Sequence, residues 1–144
     1  MSHIAELMPD VKDLEALRQG ALDVGCEMVK QPTYRWYGTF VGDSPLPPGV
    51  DQAKLGQCDY AIRVKGAGAQ TYEIGVVKVG DKYALLCDEW QGGYGLVAKV
   101  GAGAAKLKQA YGARVAERHL AARGISVIRQ VLESGKIVLK AVAR

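Results

Sequence analysis

Two strand-like runs, Tyr72–Val79 and Lys82–Asp88, are separated only by Gly80-Asp81. A link of two residues leaves room for a tight turn and nothing else, and glycine supplies the positive φ that such a turn needs. The two runs must therefore pair antiparallel. On the second run Tyr83, Leu85 and Cys87 share a face. In 57–65 the residues Cys58, Tyr60, Ile62 and Val64 alternate with Asp59, Ala61, Arg63 and Lys65, the period of two that buries one face of a strand. Gly66-Ala67-Gly68-Ala69 marks the turn that follows.

Helical spacing flanks this centre. A short strand over 3–8 is followed by Asp10, a cap oxygen with Asp13 three residues on, and by Leu14, Leu17, Ala21 and Val24 on one stripe. These predict a helix over about 11–24, stopped by Gly25, and a strand over 26–29. Residues 104–122 are rich in alanine, with Leu107, Tyr111 and Val115 on one stripe, and predict a second helix. A final hairpin, 125–133 and 136–142, turns at Ser134-Gly135. Between these lie a Pro/Gly-rich loop at about 41–56 and a glycine-rich stretch, 91–103, expected to be loose. The order predicts an α+β fold: a largely antiparallel sheet with two helices, strand-helix-strand and then strand-hairpin-helix-hairpin.

With 144 residues, 49% of them hydrophobic and 24% charged, the chain has the length and composition for one domain over 1–144. No apolar run approaches the roughly 20 residues of a membrane span. The first residues lack the basic and apolar pattern of a signal peptide, which points to the cytoplasm or an equivalent compartment. Cys26, Cys58 and Cys87 are odd in number and widely spaced, the pattern of buried thiols rather than of a disulfide framework.

The formal charge of +4 is unevenly spread. Residues 106–144 hold nine basic and two acidic side chains, a balance of +7. Lys106, Lys108, Arg114, Arg118 and Arg123 are the candidate contacts for an anion or a nucleic acid. Tyr34, Arg35, Trp36 and Tyr37, with Phe40 beyond them, are the candidate contacts for a protein partner, either as a stacking surface or as a strand packing its rings. Gly101, Gly103 and Lys106 make a weak phosphate loop that lacks the full Walker or dinucleotide pattern. Asp88 and Glu89 are a carboxylate pair, but neighbours on a strand point to opposite faces. No catalytic, metal or cofactor set is evident. The first expectation is a non-enzymatic binding or adaptor domain that engages a protein partner or self-associates. The alternatives are a nucleic-acid-binding protein using the basic C-terminal helix and hairpin, and an enzyme whose site the sequence does not display.

Several segments taken together resemble a known family. They are Met1-Ser2-His3, Asp13–Leu17, Tyr72-Glu73-Ile74-Gly75, Tyr83–Asp88, Gln109–Gly112, Gly124–Val127 and Glu133–Leu139. In order and spacing they resemble a domain-of-unknown-function family typified by the hypothetical plastid open-reading-frame thirty-five proteins of algae and cyanobacteria, with bacterial and phage relatives. The resemblance covers 1–29 and 57–142. It implies a compact α+β domain in the cytoplasm, the plastid stroma or an infected host's cytoplasm. It implies no activity, so it assigns no site residues.

Overall fold

The strands β4 (Ile74–Val79) and β5 (Lys82–Asp88) pair antiparallel from Val79 opposite Lys82 to Gly75 opposite Leu86, as the two-residue link requires. They form the centre of a five-stranded sheet in a computed structural model that describes residues 4–38, 46 and 50–142. On one side of the pair lies β3 (Tyr60–Val64), then β2 (Cys26–Val29); on the other lies β1 (Ile4–Val11). Every pairing is antiparallel. Successive antiparallel pairings across five strands make β1 and β2, on opposite edges, run the same way. That is the arrangement a helical crossover can join, and α1 (Leu14–Asp23) makes the connection. The expected α+β class holds.

Asp13, rather than Asp10, caps α1, its Oδ1 accepting from the Ala16 amide at 2.9 Å. Asp10 falls inside β1, which pairs with β5 as far as Val11 opposite Tyr83. The ladder reaches that far by shifting register twice, on either side of Met8. β1 also carries Pro9, a residue without an amide that an edge strand tolerates.

One face of the sheet carries the main core. Leu7, Val11, Cys26, Ile62, Ile74, Val76, Leu85 and Cys87 meet Leu17 and Ala21 of α1 and Leu107 of the long C-terminal helix, Ala105–Ala122. Gly20 lets the two helices approach closely: a Cβ there would lie 3.0 Å from the Tyr111 amide nitrogen. The stretch expected to be loose contributes to this core as well. Within it, Leu96 and Val100 are buried four residues apart on α2 (Leu96–Val100), a short helical turn. The long helix is therefore α3.

The opposite face is covered by irregular chain. Tyr34 lies over Gly75, where an added Cβ would stand 2.3 Å from the ring. Around it Ile4, Ala61 and Leu86 are buried, with Trp36, Val50, Leu55 and Cys58 half-buried beside them. Residues 34–38 form no strand. Of the loop expected at about 41–56, residues 50–56 hold one short turn, Gln52–Lys54, capped by Asp51. Phe40 and residues 41–45 and 47–49 lie outside the described residues.

β6 (Val127–Val131) and β7 (Ile137–Ala141) form a separate two-stranded sheet instead of extending the main one. The strands are shorter than the expected 125–133 and 136–142, although backbone hydrogen bonds continue one residue beyond them at each end, from the Val142 amide to Ser126 and from the Leu132 amide to Lys136. Gln109 of α3 ties it down, donating to the Gly135 carbonyl at 2.9 Å and accepting from the Ile137 amide at 3.2 Å.

Candidate functional site

β5 ends on Asp88, which is fully buried. Its Oδ2 accepts from the Tyr37 amide at 3.2 Å and its Oδ1 from the Trp90 amide at 2.9 Å. One carboxylate thus fixes two chain segments that are far apart in sequence, and each presents an aromatic side chain outward. Tyr37 is 53% exposed and Trp90 39%.

The chain then makes a left-handed turn. Gln91, Gly92, Gly93 and Tyr94 have φ between 52° and 64°. For the two non-glycine residues this conformation costs on the order of 1–2 kcal/mol each. Tertiary contacts hold the turn: the Tyr72 amide donates to the Gly93 carbonyl at 2.9 Å, and Thr71 Oγ1 donates to the Tyr94 carbonyl at 2.9 Å. The Tyr72 and Tyr94 rings meet edge to face at 5.1 Å. Tyr94 is left 45% exposed.

Arg35 links these parts. Its amide donates to Glu73 Oε1 at 2.8 Å, its carbonyl accepts from the Glu73 amide at 2.9 Å, and its Nη1 donates to the Thr71 carbonyl at 2.6 Å. Tyr37, Trp90, Tyr94 and Arg35 are therefore tied to one backbone framework at the end of β5. The four residues expected to contact a partner divide: Tyr37 is exposed, Arg35 and Trp36 are at least partly accessible, and Tyr34 is only 3% exposed. Tyr34 is a correction to the expected surface set, because Gly75 opens a flat place on the sheet that its ring fills. Burial pushes its hydroxyl up to about 12. The sequence pattern misses Trp90 and Tyr94 as part of this surface; the two glycines between them, read as a loose segment, are the available signal of a left-handed turn.

The basic residues divide too. Arg114 pairs with Asp23 through Nε and Nη2, both at 2.7 Å, and with Glu117 at 3.2 Å. Arg118 donates to Asp13 at 2.9 Å. These arginines join α3 to α1. Lys106, Lys108 and Arg123 are exposed and form no ion pair among the described residues. Arg129 of β6 lies 3.0 Å from Asp23 and 3.1 Å from Glu117, so two carboxylates and two guanidiniums connect α1, α3 and the hairpin. Burial works against the charge on Asp23, but Arg114 and Arg129 hold its carboxyl below the usual range.

The glycine loop before α3 already has an anion. Glu89 accepts from the Gly103 amide, at 3.1 Å through Oε1. Asp88 and Glu89 serve separate backbone sites: the strand ends at Asp88, and Glu89, beyond it, has left the extended conformation. Burial raises all three thiols, Cys26 to about 11 and Cys58 to about 12. Among the described residues no group of three or more His, Cys, Asp or Glu is placed to hold a metal, and no helix is long and apolar enough to cross a membrane. No family model, curated protein or solved structure matches the chain.

Proposed function

We propose that the chain is a non-enzymatic binding domain that engages a protein partner through Tyr37, Trp90, Tyr94 and Arg35. The observation that carries this reading is the buried carboxylate of Asp88 holding both the Tyr37 and Trp90 amides. Aromatic residues and arginine dominate the energetics of protein interfaces, and presenting them on a fixed framework lowers the ordering cost of binding. Arg35 gives only one of its guanidinium nitrogens to Thr71, which suits a partner with an apolar patch beside a carboxylate.

The test is affinity capture with the full chain as bait. A protein recovered with the wild type, lost with the Trp90→Ala/Tyr94→Ala double variant and retained with Ile128→Lys supports the reading. Identical recovery with wild type and double variant overturns it.

Self-association is the second reading, favoured by the outer edge of β6. The Val142 amide donates to Ser126 and the Leu132 amide to Lys136. By antiparallel alternation, the backbone groups of Val127, Arg129 and Val131 then face away from β7. Ile128 and Val131 are 59% and 63% exposed, and no lysine or proline blunts this strand. A second copy adding its own β6 would pair the open backbone groups and flank Ile128 and Val131, which point to opposite faces. Light scattering distinguishes the readings: a dimer abolished by Ile128→Lys favours the edge, and a monomer at every concentration removes it. Nucleic-acid binding along α3 has weaker support, because Arg114 and Arg118 are committed to carboxylates within the chain.

A further inference from the structure

A cleft of about 810 Å³ lies between α2, the first turns of α3, the Val24–Gly25 turn and the β6–β7 hairpin. That volume falls within the roughly 300–1,000 Å³ of small-molecule sites. Its lining includes Lys99, Lys106 and Lys136, which come from α2, α3 and the hairpin turn. None of the three forms an ion pair among the described residues. The single carboxylate of the lining is Asp23, and Arg114 and Arg129 already neutralise it. Three exposed lysines without a carboxylate partner among the described residues therefore border one concavity and give it a positive field.

We propose that this cleft binds a small organic di- or triphosphate. Three lysines supply point charges suited to the several negative charges of such a ligand. Val24, Val131 and Ile137 line the same cleft and give its non-phosphate portion an apolar wall. The stem of Lys99 passes over Gly25, where an added Cβ would lie 3.7 Å from its Cδ.

A compact ligand fits better than a polymer. A nucleic acid needs a continuous track of cations, and the track along α3 is interrupted at Arg114 and Arg118 by their carboxylates. Arg123, at the far end of α3, is separated from Lys106 by about 25 Å at 1.5 Å per residue, outside this cleft.

The site shares no residue with the aromatic face, so either proposal can fail alone. The test is isothermal titration of the full chain at low ionic strength with adenosine triphosphate, with inorganic tripolyphosphate and with a short single-stranded RNA. Saturable one-to-one binding of either triphosphate is expected, weakened at least tenfold in the Lys106→Gln/Lys136→Gln variant and unchanged in the Lys108→Gln/Arg123→Gln variant. Circular dichroism establishes that both variants fold. Tighter binding of the nucleotide than of tripolyphosphate is expected from the apolar wall; equal binding overturns the organic portion as part of what the cleft recognises. The proposal is overturned if neither triphosphate binds saturably, if the Lys106→Gln/Lys136→Gln variant binds as the wild type does, or if RNA binds more tightly and depends on Lys108 and Arg123 instead.

Discussion

Asp88 and Gly75 are the residues on which the aromatic side of the molecule depends. A buried carboxylate is tolerated when hydrogen bonds answer its oxygens, and both Asp88 oxygens are answered by amides. Asp88→Ala leaves those two amides without their acceptor. The expected cost is about 1–3 kcal/mol per amide left buried and unsatisfied, measured as a lower midpoint in urea. Gly75→Ala sets a methyl group against the Tyr34 ring, and overpacking of this kind costs roughly 1–3 kcal/mol. The same denaturation experiment checks it, with Leu85→Ala as the core reference at about 2–5 kcal/mol. Neither role is legible in the sequence. Asp88 looks like one of a carboxylate pair, and Gly75 looks like a gap in an alternating strand. What defines them is a contact with residues 34–37, far away along the chain, and no local pattern encodes that.

At the scale of elements, periodicity identifies β2 and β5 to the residue and α3 to within one position, because each has a clean stripe or alternation and a glycine or tight turn at its limit. It places the start of α1 too early. Asp10 and Asp13 are both credible caps, and only the pairing of β1 with β5 decides between them. The hairpin β6–β7 is legible as a hairpin, but its separation from the main sheet is not, since strand order depends on which edges are occupied. An isolated two-stranded sheet is marginal by itself. Here Gln109 and the group formed by Asp23, Arg114, Glu117 and Arg129 attach it to the helices. Arg129→Ala is therefore expected to raise amide exchange across 127–141 selectively, while β3, β4 and β5 stay protected. Uniform protection in that variant would show that the ion pairs do not hold the hairpin.

For the molecule as a whole, the two sides of the sheet are built differently: helices cover one and non-repetitive chain covers the other. The charge split read from the sequence is partly internal, because basic residues of the C-terminal segment answer acidic residues of α1 and its cap. Stability should fall at both ends of the pH range. The carboxyl of Asp23 is held down in the folded state, so its contribution is present above the ordinary carboxylate range and is lost as pH falls through its lowered value. The thiols and the Tyr34 hydroxyl are held up. The contribution of the Cys26 and Cys58 thiols is complete below their ordinary value of 9.0, that of Tyr34 below 10.0, and both are lost as pH rises toward about 11 to 12; Cys87, held up further by its deeper burial, loses its share at still higher pH. Thermal melts from acid to strongly alkaline pH check the window. Thiol titration complements them: at neutral pH the buried Cys26 and Cys87 should react with a disulfide reagent only on unfolding.

The claim beneath the functional reading is that one carboxylate holds two distant segments in a single arrangement. Residue-resolved hydrogen exchange on wild type and Asp88→Asn tests it most directly. The Tyr37 and Trp90 amides should both be protected in the wild type, with protection falling at Tyr37, Trp90 and Tyr94 in the variant while the Val76 and Leu85 amides keep theirs. Tyr37 and Trp90 amides that exchange freely in the wild type, or protection unaffected by the substitution, would show that Asp88 does not hold the two segments.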